Sequence, residues 1–108
     1  MVIKVVERLS PKQFGDKCRV IKEKLMKAAI KVLKFPEFGF SEDEIVDYLF
    51  VEVDSYDSDT IRCEVRCELT YSGMWDLAEM LNPIVAKYDS ESYFDIEEPG
   101  IMSAYIRI

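Results

Sequence analysis

The residues of this chain with the most latent chemistry are three cysteines, Cys18, Cys63 and Cys67, because thiolates ligate metals and exchange disulfides. They form no CxxC pair and leave an odd one over, which argues against a disulfide framework or a zinc knuckle. On a strand, Cys63 and Cys67 share one face but stand roughly 13 Å apart along it. A disulfide spans Cα atoms no more than roughly 7 Å apart, so this pair cannot bridge without breaking the strand. With Val65 between them they read as small core hydrophobes, and Cys18 reads the same way within a helical apolar stripe. The sequence contains no histidine, which removes Ser-His-Asp and Cys-His catalysis and imidazole ligation. No serine or cysteine stands beside a plausible base, and no glycine-rich phosphate loop occurs. No catalytic residue, cofactor or metal ligand is therefore expected.

Carboxylates are the second candidate. Residues 37–59 hold nine of them, Glu37, Glu42, Asp43, Glu44, Asp47, Glu52, Asp54, Asp57 and Asp59, with no Lys or Arg. Asp54, Asp57 and Asp59 lack the turn glycine and ligand spacing of a calcium loop. Glu42, Asp43 and Glu44 instead suit a helix N-terminus, where the backbone dipole favours negative charge. The net charge of −7 is divided unevenly. Residues 1–40 carry ten Lys or Arg against four acids, and residues 41–108 carry four against seventeen. Lys17, Lys24 and Lys31 recur every seven residues along one helical flank, with Lys27 and Lys34 further round.

The elements that must hold these residues follow from periodicity. Residues 2–8 read as a strand rich in β-branched side chains. Ser10, Pro11 and Gln13 form a helix start with a capping box. Phe14, Cys18, Ile21, Leu25, Ala28, Ala29 and Val32 then make one apolar stripe, and the helix ends near Lys34 before Phe35-Pro36. Ser41 to Glu44 repeats the capping pattern and predicts a short helical turn. Residues 48–54 predict a strand, 55–59 a hairpin loop, and 60–71 a strand with strict alternation. A second long helix is expected after Ser72-Gly73, with Met74, Trp75, Leu77, Met80, Leu81, Ile84, Val85 and Tyr88 on its core side. Pro83 either kinks that helix or follows Asn82 as the cap of a fresh turn. Residues 92–97 and 101–108 predict two short strands around Glu98-Pro99-Gly100.

This order resembles the ferredoxin-like β-α-β-β-α-β sandwich, with a C-terminal β-hairpin and two helices covering one face of an antiparallel sheet. It predicts a single α+β domain over 1–108. If Leu49, Val51 and Val53 point to the core, Tyr48 and Phe50 face outward, as does Tyr105 on the last strand. Met1 to Leu9 is interrupted by Lys4, Glu7 and Arg8, and no uncharged run is long enough to span a bilayer, so a cytoplasmic protein is expected.

The function expected is a small non-enzymatic protein-binding or regulatory domain, acting through its charged surfaces or open sheet face. The candidate surface is Lys17, Lys24, Lys31, Glu42, Asp43, Glu44, Tyr48, Phe50 and Tyr105. A protein partner is expected, a homodimer is compatible with the two charge poles, and nucleic acid is disfavoured by the net charge. The competing expectations are an acidic phage or mobile-element inhibitor that mimics nucleic acid, a paired small-molecule sensor, and a weak RNA binder using sheet aromatics.

Overall fold

A computed structural model describes residues 10–108, and the strand expected over 2–8 lies outside the described residues. Helix α1 spans Pro11–Leu33 and begins as its capping box dictates. The Ser10 hydroxyl accepts the Gln13 N–H, and Gln13 Oε1 accepts the Ser10 N–H at 2.9 Å. Its buried stripe is Cys18, Ile21, Leu25, Ala29, Val32 and Leu33. Each fully buried aliphatic side chain there contributes about 1.5–3 kcal/mol, and that burial, rather than helix propensity, holds α1 in place.

Helix α2, Glu42–Tyr48, starts at Ser41 with a second capping box and buries only Ile45. Strands β1, Phe50–Ser55, and β2, Thr60–Arg66, follow as a hairpin. Helix α3 spans Tyr71–Ala86, β3 spans Asp95–Glu98 and β4 spans Ile101–Arg107. The sheet has four antiparallel-paired strands in the order β1-β2-β4-β3. Helices α1 and α3 pack on each other, α1 also meets β1, and α3 also meets β3 and β4. The result is an α+β arrangement of a four-stranded antiparallel sheet and three helices.

That order does not reproduce the ferredoxin-like one. In the expected arrangement the strand preceding α1 would stand between 60–66 and the last strand, whereas β4 pairs directly with β2. Since β2 and β3 both run antiparallel to β4, they are parallel to each other, joined through α3 and split by β4. One split βαβ unit is thus present, with the chain's own C-terminal strand in the central slot.

Other elements shift for local reasons. Strand β2 stops at Arg66 rather than Tyr71, because Thr70 caps α3 by accepting the Gly73 N–H at 3.1 Å. Helix α3 therefore starts at Tyr71, ahead of Ser72-Gly73. It passes through Pro83 to Ala86 without a fresh start at Asn82, whose Oδ1 instead accepts the Phe94 N–H at 2.7 Å. The buried stripe of α3 is Met74, Leu77, Ala78, Leu81 and Val85. Trp75 and Met80, expected in the core, lie roughly 100° or more off its centre at 100° per residue and are exposed. Gly100 turns β3 into β4 at φ +88°, where an added Cβ would meet the Cys67 carbonyl oxygen at 2.9 Å.

The core face of the sheet carries Val51 and Val53, Ile61, Cys63 and Val65, Met102, Ala104 and Ile106, and Ile96. Leu49 is buried with them, which settles the direction of the first hairpin strand: Tyr48 and Phe50 point outward, and so does Tyr105. The three cysteines are free and buried. Burial pushes the Cys63 thiol up to about 12, and burial followed by the charge of Glu68 pushes Cys67 up to about 11.

Candidate functional site

The lysines of α1 and the end of α3 build a surface of one charge sign. Lys17, Lys24 and Lys31 flank the apolar stripe on the side that faces α3. There Lys17 and Lys24 meet Tyr88, just beyond α3. Lys24 Nζ donates to the Tyr88 hydroxyl oxygen at 2.8 Å. Nζ of Lys24 and of Lys17 also lies 5.2 Å and 5.8 Å from the centre of the Tyr88 ring. Beside this cluster runs a groove of about 410 Å³, with Ala28, Ile84 and Tyr88 as apolar wall and Lys24, Lys27, Lys31 and Lys87 as rim. No carboxylate lines it. The ion pairs among the described residues lie elsewhere, on Arg19, Lys34, Arg62 and Arg66. Four ammonium groups around one apolar wall repel each other, and an anionic partner relieves that repulsion.

The acidic residues of α2 have local work. Lys34 Nζ lies 2.6 Å from Glu42 Oε1, and this hydrogen bond and charge hold the Glu42 carboxyl below its usual range. Glu44 Oε1 accepts from the Ser41 N–H and hydroxyl. Asp43 completes an acidic first turn. The face of α2 left to solvent combines Glu42, Asp43 and Asp47 with Val46, which is 78% exposed.

The open sheet face is organised by a carboxylate between two guanidinium groups. Glu64, only 6% exposed, sits opposite Glu52 and Ser103 in the ladder. Its Oε2 accepts from Arg66 Nε at 3.0 Å and its Oε1 from an Arg62 terminal nitrogen at 3.0 Å. The same Arg62 nitrogen reaches the Ser103 hydroxyl at 3.1 Å and Glu97 at 3.5 Å. Burial alone would raise the Glu64 carboxyl, but the bonds from Arg66 and Arg62 outweigh it and hold the group below its usual range. Tyr105 packs edge-on against Tyr56 with ring centres 5.0 Å apart. Phe50 is 58% exposed and stands with Tyr48 beside a shallow hollow that Arg66 and Pro99 also line.

The structure thus brings Lys17 and Lys24 together at Tyr88, sets Lys31 with Lys24 in the groove lining, keeps Glu42, Asp43 and Glu44 on one helical turn, and places Tyr48 beside Phe50 while Tyr105 pairs with Tyr56 instead. Sequence reasoning missed Ile84, Lys87 and Tyr88 as partners of the lysines, since nothing local links them to α1. It also missed Glu64 as the hub of the open face. The alternation of 60–66 places Arg62, Glu64 and Arg66 on one side, and that signal would have found it.

Among the described residues no group of three or more His, Cys, Asp or Glu is placed to hold a metal ion, and no helix is long and apolar enough to cross a membrane. Comparison with known proteins finds no matching family model, no matching curated protein and no matching solved structure.

Proposed function

We propose that this chain is a small non-enzymatic protein-binding domain, and that the lysine groove between α1 and the end of α3 is where an acidic segment of a partner docks. The observation that carries this is the groove itself: four lysines rim an apolar wall that no carboxylate lines. An acidic segment bearing an apolar side chain complements both parts, with charge governing encounter and salt dependence and the apolar contact adding affinity. Mimicry of nucleic acid has less support, because Glu42 and Glu44 are already engaged within the chain. RNA stacking on the open face would set phosphates beside Glu52, Asp54, Glu64 and Glu97. Three free buried thiols support a reducing, cytoplasmic setting.

The test is fluorescence anisotropy of a labelled peptide with leucine between glutamates, titrated with the full chain at low and at moderate ionic strength. Saturable binding that weakens as salt rises is expected. Failure to bind at low salt overturns the reading.

One observation favours a second reading, in which the partner is another copy of this chain. The solvent face of α2 offers Val46 between Asp43 and Asp47, which make no ion pair among the described residues, the complement of a lysine-rimmed apolar groove. Sedimentation equilibrium then shows mass rising with concentration at low salt. A monomer at every concentration removes this second reading alone.

A further inference from the structure

We propose that an extended segment of a partner protein, alternating apolar and basic residues, adds as a strand along the outer edge of β1. Its apolar side chains enter a hollow of about 720 Å³ between that edge and the start of α1. Phe14, Gly15 and Cys18 form the helix wall of the hollow, and Val53, Asp54 and Ser55 form the strand wall. Among the described residues, β1 is the last strand on its side of the sheet. The ladder shows which backbone groups it turns outward. The Tyr56 N–H donates to the Thr60 carbonyl oxygen at 2.9 Å, so in steps of two Asp54, Glu52 and Phe50 also bond to β2. The N–H and C=O groups of Val51, Val53 and Ser55 then point away from the sheet, in the row that an added strand pairs with.

An edge strand alone selects no ligand, but two observations here do. Gly15 lies inside α1, where glycine destabilises a helix relative to alanine. Its φ is not positive, and an added Cβ would meet nothing within 4 Å. Neither backbone conformation nor packing among the described residues calls for glycine, while its bare surface keeps the hollow wall open to an approaching chain. The second observation is charge. On the open face β1 presents the exposed Glu52 and Asp54, and Asp57 follows in the hairpin loop. No ion pair among the described residues engages these three. Arg19 and Lys22 line the hollow on its helix side. Successive side chains of an added strand point to opposite faces. Those turned toward the helix meet Phe14, Cys18 and Val53, where Arg19 and Lys22 disfavour a further base. Those on the open face meet Glu52 and Asp54. Apolar residues in the first set and lysine or arginine in the second therefore complement both. A second copy pairing through its own β1 would set the Glu52 and Asp54 carboxylates of two molecules on one face, and like charges oppose it. This site is separate from the lysine groove and takes the opposite charge.

The test is amide NMR of the full chain, titrated with a capped heptapeptide of alternating valine and lysine. Saturable shifts at Gly15, Val51, Val53 and Ser55 are expected, with slower hydrogen exchange at the Val51 and Val53 amides. Glu52→Gln combined with Asp54→Asn should weaken binding about tenfold. Gly15→Ala should also weaken it about tenfold while raising the melting temperature by about 5 °C, so lost folding cannot explain the loss. A peptide of the same composition with its lysines grouped should bind this edge at least about tenfold more weakly. One with glutamate in place of lysine should leave these four amides unshifted. The proposal is overturned by absence of shifts with the alternating peptide, by equal binding of the grouped one, by shifts with the glutamate one, or by unchanged affinity in either variant. Slow exchange at Val51 and Val53 in the chain alone overturns it too, since residues 1–9 or a second copy would then already cover the edge.

Discussion

Glu64→Gln probes the open sheet face at its hub. The substitution keeps the side-chain volume and removes the charge that Arg62 and Arg66 share. A charge-assisted hydrogen bond contributes about 1.5–3 kcal/mol when well enclosed and about 0–1 kcal/mol when solvated. Arg62 has one third of its side chain exposed and Arg66 more than half, so the first bond falls near the middle of that span and the second at its low end. The expected loss is about 2 kcal/mol, which lowers the melting temperature of a domain this size by about 10 °C. The pH dependence gives the sharper signature. Because the folded-state pKa of Glu64 lies below its ordinary value of 4.5, the native state favours the ionised form. Its contribution is complete above about pH 4.5 and fades as pH falls through the lower folded value. Thermal unfolding followed by circular dichroism should therefore separate the two proteins at neutral pH and bring them together in acid, where the wild-type carboxyl is protonated too. Equal melting temperatures at neutral pH, or a gap that persists in strong acid, would refute the reasoning.

Three further outcomes follow from single contacts. Gly100→Ala places a Cβ at φ +88° and 2.9 Å from the Cys67 carbonyl oxygen. It should cost at least about 2 kcal/mol, read as a lower denaturant midpoint with unchanged slope. Asn82→Ala removes the 2.7 Å acceptor of the Phe94 N–H beneath a fully buried ring, and should cost about 1–2 kcal/mol in the same assay. Cys63 and Cys67, with thiols raised to about 12 and about 11 by burial, should resist a disulfide reagent in the folded state at mildly alkaline pH and react on unfolding. Rapid labelling of either thiol in the folded protein would contradict their placement.

What the sequence made legible was local. The Ser10–Gln13 box and the stripe from Cys18 to Val32 announce α1, and alternation around Cys63 and Val65 sorts the faces of β2. Alternation says which side chains share a face but nothing about which strand lies alongside, so the direct pairing of β2 with β4 stayed hidden. The expected core at Trp75 failed because one bulky residue beside a stripe is indistinguishable from a member of it until the packing partner is known. The lysine repeat was visible as spacing. Its meaning depended on Lys87 and Tyr88, which fold back from a distant helix to close the groove.

The central claim is that the groove, and not the overall charge of α1, receives an acidic partner. Lys27→Glu with Lys31→Glu and Lys12→Glu with Lys22→Glu change the net charge equally, but only the first pair lies in the groove lining. In the anisotropy titration with the acidic peptide at low salt, the groove variant should lose at least about tenfold in affinity, and the other should stay within about twofold of wild type. Equal losses in the two variants would show that bulk charge alone governs binding, and the groove would cease to be a site.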